Sequence, residues 1–208
     1  QKIKIIDEIV LAISLGDDNL IYADYSKKKG LKFIFGNEID VLYRLNLGLE
    51  YSKGTDLFRV TSESPFLYIP EVENAWEKHK LNKNDATFLD DIIDGCGFEI
   101  ITSKALKYSW DNGDKKHRSE MCTLFIRENK NFLKIEKIKC PQELIRPDLR
   151  LTIDYPEDLI VCREIYRQQI KGFKEYDLFK IVKFLDSKKE LLSLISPYCE
   201  EGYKTMYL

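Results

Sequence analysis

Between residues 5 and 14 the chain is apolar and rich in β-branched side chains, and the run stops at Leu15-Gly16-Asp17-Asp18. This pattern predicts a strand over 5–14. Asp17, Asp18 or Asn19 then offers a cap for a helix running to about Lys29, and Gly30 closes it. A short strand is predicted over 31–35, with a turn at Gly36-Asn37. Over 40–49, Val41, Leu42, Leu45 and Leu49 fall on one side of an amphipathic helix. Residues 56–61 read as a strand. A helix over 70–79 opens with Pro70-Glu71-Val72-Glu73, a proline and acids where the first turn tolerates them. The pattern continues with a strand over 98–101 and a helix over 103–108 capped by Ser103. A helix over 117–128, a strand over 132–138 and a last strand over 149–154 follow. A strong helix spans 156–170, and one or two more cover 176–195.

Strands alternating with helices imply an α/β fold built on an open, mainly parallel sheet covered on both faces. No repeat, low-complexity tract or long linker divides the 208 residues. The apolar positions Leu178, Ile181, Val182, Phe184, Leu185, Leu191, Leu192, Leu194 and Ile195 form a stripe that needs a partner. Either the chain's own sheet or a second copy in a homodimer supplies it.

Composition narrows the function. Lys plus Arg number 33 against 35 Asp plus Glu, a formal net charge of -2, which argues against nucleic-acid binding through bulk electrostatics. No apolar run approaches the roughly 18 residues of a membrane span. The N-terminus lacks a signal-peptide layout, so the expected location is cytoplasmic. Cys96, Cys122, Cys140, Cys162 and Cys199 are widely spaced without a CxxC pair, and read as free, mostly buried thiols. His79 and His117 sit among lysines and read as solvated. No Ser-His-Asp pairing, GxGxxG or P-loop sequence is present.

Two segments place acids where chemistry is done in such folds, beyond the carboxyl ends of strands. In Arg59-Val60-Thr61-Ser62-Glu63-Ser64-Pro65, Glu63 follows a strand in a Ser-rich turn. In Leu151-Thr152-Ile153-Asp154-Tyr155-Pro156-Glu157-Asp158-Leu159, Asp154 closes a strand, either as a helix cap or as a ligand. Glu157 and Asp158 are explained by the first turn of the next helix. Glu63 and Asp154 together would supply two oxygens to one Mg²⁺, an ion suited to phosphoryl or nucleotidyl transfer.

The order of these segments resembles the cytidylyltransferase family that includes spore coat polysaccharide biosynthesis protein F and CMP-KDO synthetase. Residues 6–12 (Ile-Asp-Glu-Ile-Val-Leu-Ala) resemble its second-strand motif, and residues 35–44 its G-x-x-x-D-V-L-x-R segment. Residues 59–65 resemble R-x-T-G-D-x-P, residues 94–100 D-G-x-x-x-E-V, and residues 119–125 R-E-H-V-T-P-Y. Residues 150–159 are similar to R-x-T-x-D-T-P-E-D-L, the most specific match. The resemblance implies a GT-A-like, Rossmann-type nucleotidyltransferase domain over 1–170 with a C-terminal helical extension over 171–208. It implies that a sugar attacks CTP with release of pyrophosphate, with Mg²⁺ required. Glu63 and Asp154 would be the catalytic metal ligands, and Asp40, Arg44, Arg59, Ser62, Glu99 and Glu120 would line the nucleotide or sugar pocket.

The chain departs from the pattern at three places. Glu63 and Ser62 stand where the family has Asp and Gly, and Met121 where it has His. Nothing matches the family's opening loop, Q-A-R-x-x-S-x-R-L-P-G-K, which cradles the triphosphate with backbone amides. The expectation is therefore that these 208 residues alone have no appreciable turnover, and that an upstream segment or a partner supplies a first strand. A divergent, non-catalytic binder of nucleotides or nucleotide sugars is the alternative. A GT-A glycosyltransferase is the third reading, although Asp17-Asp18 and Asp90-Asp91 lack its DxD spacing.

Overall fold

The computed structural model describes residues 3–172 and 177–206. Among them, strands β1 (Val10–Ser14) and β2 (Lys32–Gly36) pair in parallel, with Val10 opposite Lys32 and Ser14 opposite Gly36. Strands β3 (Asp56–Arg59), β4 (Ala86–Leu89), β5 (Phe98–Thr102) and β6 (Ile135–Lys137) form a second sheet in the order β3-β5-β4-β6. The single open sheet expected from the alternation is thus two sheets. Strand β4 had no counterpart in the sequence pattern. Its four residues, Ala86-Thr87-Phe88-Leu89, are all buried, so no polar alternation marks them.

The chain divides into two compact units. One comprises the stretch through Phe58, Glu73–Thr87 and Ile100–Glu136; the other comprises Arg59–Val72, Phe88–Glu99 and the chain from Lys137 onward.

In the first unit, helix α1 (Leu20–Lys29) ends at Gly30 in the left-handed region and packs on β2. Its N-cap is Asn19, which makes no capping bond; its amide instead donates to Ser14 Oγ at 2.9 Å. Helix α2 (Val41–Ser52) lies on both strands of the small sheet. Asp40 caps it, accepting the Tyr43 N–H at 2.9 Å, and Leu42 and Leu49 are buried beneath it. Gly36 is needed where α2 meets β2, because a Cβ there would lie 2.9 Å from Arg44 Cγ. Helix α3 (Val72–Leu81) starts after a 3₁₀ turn, Ile69–Glu71. Helix α4 (Ser103–Asn112) is capped by Thr102 rather than Ser103, the Thr102 hydroxyl accepting the Ala105 N–H at 3.1 Å.

The predicted helix over 117–128 is only a 3₁₀ turn, Lys115–His117, and a short helix α5 (Leu124–Glu128). Asp114 and His117 close a capping box on that turn, and Ser119 Oγ accepts the Met121 N–H at 3.2 Å. Local side-chain bonds of this kind compete with helix continuation. Both histidines are buried, not solvated. His117 bonds Glu128 at 2.9 Å, and His79 bonds Thr87 at 2.9 Å and Asp56 at 3.2 Å.

In the second unit, helices α6 (Pro156–Gly172), α7 (Leu178–Asp186) and α8 (Lys189–Met206) pack together, α8 touching both of the others. The C-terminal stripe is largely consumed there: Leu178, Ile181, Val182, Leu185, Leu191 and Ile195 are buried within the single chain. Tyr176, the start of the predicted 176–195 segment, lies outside the described residues. The predicted strand over 149–154 is reduced to one parallel bridge, Asp94 to Arg150, with Leu151 N donating to Asp94 O at 2.8 Å. Gly95 (φ 84°) makes that close approach: a Cβ there would sit 2.6 Å from Thr152 N. The five cysteines are free; all but the half-buried Cys140 are buried. Burial pushes the Cys162 thiol up to about 12 and Cys199 to about 11.

Candidate functional site

The segment most specific in sequence is also the most highly charged interior of the second unit. Arg150 is buried, and Asp158, in the first turn of α6, holds it from two sides. Arg150 Nε donates to Asp158 Oδ1 at 2.9 Å and Nη2 to Oδ2 at 3.1 Å. The same Oδ2 accepts the N–H groups of Asp154 and Tyr155 at 3.0 Å each, which satisfies donors that the helix start leaves open. Asp158 is therefore structural, as its first-turn position implies, but it also anchors the guanidinium.

Asp154 meets Arg150 Nη2 in a direct hydrogen-bonded ion pair while its side chain stays 48% exposed. Asp94 lies on the other side, with Oδ2 3.6 Å from Arg150 Nη1. Its Oδ1 is buried with no hydrogen-bond partner. Burial raises the Asp94 pKa against the pull of Arg150, and Asp154 and Asp158 push it further up. Burial also works against the charge on Arg150, yet the bonds to Asp158 and the surrounding carboxylates outweigh it and raise its pKa. One cation thus faces three carboxylates, and the excess negative charge reaches the surface at Asp154.

The other predicted site residues separate into small groups. Arg59, at the end of β3, donates to Glu99 Oε2 on β5 at 2.7 Å, so the structure joins these two. Glu63 is half-buried in the turn after β3, where Ser64 N donates to Thr61 O at 3.4 Å and the exposed Ser62 approaches Glu63 Oε2 at 3.4 Å. Among the described residues, the hydrogen-bond partners of Glu63 and of Asp154 have no residue in common. In the first unit, Asp40 is occupied as the cap of α2. Arg44 turns back on its own loop, donating to Asn37 O at 2.9 Å, and its Nε is buried without a partner. Burial lowers its pKa. Glu120 is exposed in the turn before α5.

No family model matches the chain. It is 27% identical over 206 residues to an uncharacterized protein of Methanocaldococcus jannaschii, covering 98% of this chain and 83% of that protein. It is 24% identical over 163 residues to the spore coat polysaccharide biosynthesis protein SpsF of Bacillus subtilis, covering 78% of this chain and 68% of the other. A solved cytidylyltransferase from Leptospira borgpetersenii superposes with a TM-score of 0.73 at 16% identity, covering 86% of this chain and 76% of that one. The chain has the fold of that cytidylyltransferase. The α/β, Rossmann-like nucleotidyltransferase fold expected from the order of its segments is therefore the fold it has.

Within this fold, sequence reasoning singled out Asp154 but missed its partners Arg150, Asp94 and Asp158 as one cluster. A signal was available, since Arg150, Asp154 and Asp158 recur every fourth residue. Asp94 could not have been added that way, because only the bridge at Arg150 brings it close.

Proposed function

We propose that this chain is a nucleotidyltransferase that activates a sugar with CTP, releasing pyrophosphate, in polysaccharide or glycan biosynthesis. The kinship with SpsF and the cytidylyltransferase fold support the class. The observation that carries the reading to a site is the exposed Asp154 carboxylate, backed by a buried cluster with more negative than positive charge.

That cluster fits Mg²⁺. Its donors are hard carboxylate oxygens, and magnesium takes one or two of these together with substrate phosphates rather than an all-protein cage. Among the described residues no set of three or more His, Cys, Asp or Glu side chains forms such a cage. Asp154 and Glu63 would hold the ion with the phosphates of CTP. The chemistry it supplies is neutralisation of charge on the phosphate under attack. Arg150 fixes the Asp154 carboxylate, and Asp158 fixes Arg150, so the ligand is preorganised before the nucleotide arrives. Arg59, oriented by Glu99, offers a half-buried cation to a phosphate or an acidic sugar. Asp40, Arg44, Ser62 and Glu120 are the further nucleotide- or sugar-binding residues of this reading, and the reaction is taken to be cytoplasmic.

Calorimetry with CTP, with and without Mg²⁺, tests the assignment. The wild type is expected to bind CTP more tightly with Mg²⁺, and Asp154→Asn to lose that gain while keeping its fold. Equal Mg²⁺-dependent affinity in the two proteins would show that Asp154 is not the ligand. Pyrophosphate release from CTP with a panel of acidic sugars, compared between these 208 residues and a chain extended upstream, then tests turnover and identifies the acceptor.

A further inference from the structure

Helix α8 reaches the Asp154 cluster through one residue. The Tyr198 ring stacks on Tyr155, centroids 4.1 Å apart and planes 16° from parallel. The Tyr198 carbonyl accepts from Arg150 Nη1 at 3.2 Å. Burial and the neighbouring Glu157 carboxylate raise the Tyr198 pKa. Tyr155 follows Asp154 directly and lies 5.5 Å, ring centroid to Cζ, from Arg150. One residue of a distant helix therefore touches both Arg150 and Tyr155, the neighbour of Asp154 on its C-terminal side. Pro197 precedes Tyr198 inside α8 and contributes no N–H, and Ser196 Oγ approaches the Ser193 carbonyl at 3.4 Å.

We propose that Tyr198 is a positioning residue for Asp154: its ring holds Tyr155 and its carbonyl holds Arg150, and together these set the orientation of the carboxylate. The inference rests on the reading of Asp154 as a cation ligand. It makes the C-terminal helix part of the site rather than an appended support. An aromatic pair with two rotatable bonds in each side chain fixes a loop with little loss of freedom, whereas a flexible side chain at 198 would not. Partners that orient a ligand in this way typically change metal affinity 10–100-fold when removed.

The test compares the wild-type chain with Tyr198→Leu, Tyr198→Phe, Tyr155→Leu and Cys199→Ala. Cys199 is the next residue of α8, buried against Asp148 O at 3.3 Å, and serves as a control for helix packing. Two quantities are read: the Arg150 Nε–H signal by NMR without nucleotide, and CTP affinity with and without Mg²⁺. Tyr198→Leu is expected to shift the Arg150 signal and to cut the Mg²⁺-dependent gain in CTP affinity about tenfold, leaving Mg²⁺-free binding within about twofold of wild type. Tyr155→Leu should do the same from the other side of the stack, which keeps the test alive if one variant fails to fold. The conservative Tyr198→Phe should restore both readouts, and Cys199→Ala should lower the melting temperature without moving either. An Arg150 signal and an Mg²⁺ gain unchanged in both leucine variants would overturn the proposal. If the wild type shows no Mg²⁺ gain, the reading of Asp154 as a ligand fails. The Arg150 signal then decides alone: a shift in the leucine variants supports positioning by Tyr198, and its absence refutes it.

Discussion

Two buried polar networks, one in each unit, are built from similar parts and end differently. In the first unit His79 lies between Asp56 and Thr87, Asn84 donates to Thr87 at 3.2 Å and to Glu136 at 2.7 Å, and Asn82 donates to Glu136 at 2.8 Å. Both ring nitrogens of His79 are thereby occupied. Thr55 and Lys80 complete Asp56. In the second unit Arg150 serves three carboxylates, one oxygen of Asp94 is left without a bond, and Asp154 is half exposed. The lesson is that burial of charge does not mark a site by itself. A closed network holds the fold; a network short of positive charge and open to solvent at one acid has capacity for a ligand.

Four substitutions sharpen that contrast, and urea denaturation with melting curves measures them all. Arg150→Met should have the largest effect, a loss of about 3–5 kcal/mol, because it leaves three carboxylates around an apolar side chain. A loss under about 1 kcal/mol would mean the cluster is already neutralised by protons. His79→Leu should cost about 1–3 kcal/mol, since Asp56 and Thr87 lose their partner together.

The networks should also respond oppositely to pH. The hydrogen bond from His79 holds Asp56 below the usual carboxylate range, so its contribution to stability is present above the unfolded pKa of about 3.9 and is lost as pH falls through the lower folded value. Burial raises Asp94, so the unfolded state ionises first. Stability is therefore lost as pH rises from about 3.9 through the higher folded value. Asp94→Asn should remove that decline, because the amide does not ionise. A steeper decline in the variant would show that the Asp94 charge is needed to hold Arg150. Asp154→Asn should be the mildest, under about 1 kcal/mol, since Asp154 is half exposed and Asp158 still holds Arg150. A large loss would make Asp154 a member of the structural network, no longer the open end of the cluster.

Much of this molecule was legible in the chain before any coordinates. The helices starting near Leu20, Val41 and Pro156 announce themselves through Gly30, the apolar side of Val41, Leu42, Leu45 and Leu49, and Pro156, because breakers and periodicity act over a few neighbouring residues. Asp154 stood out because a strand-like run, a proline and two acids coincide there. Strand β4 did not, since a short strand with all four residues buried has no alternation to read. The helix expected over 117–128 yields to Asp114, His117 and Ser119, whose side chains bond the backbone locally. His79 and His117 look solvated among their lysines; only the fold sets Asp56 and Glu128 against them.

Local patterns and the order of segments therefore determined the α/β class, most elements and the one acid on which the proposed chemistry turns. The tertiary structure decided which partners that acid has. Asp94 is 56 residues from Arg150 along the chain and Tyr198 is 48 beyond it, yet both meet its guanidinium. Electrostatics and packing act through space, and no periodicity in a sequence encodes a distance between residues so far apart.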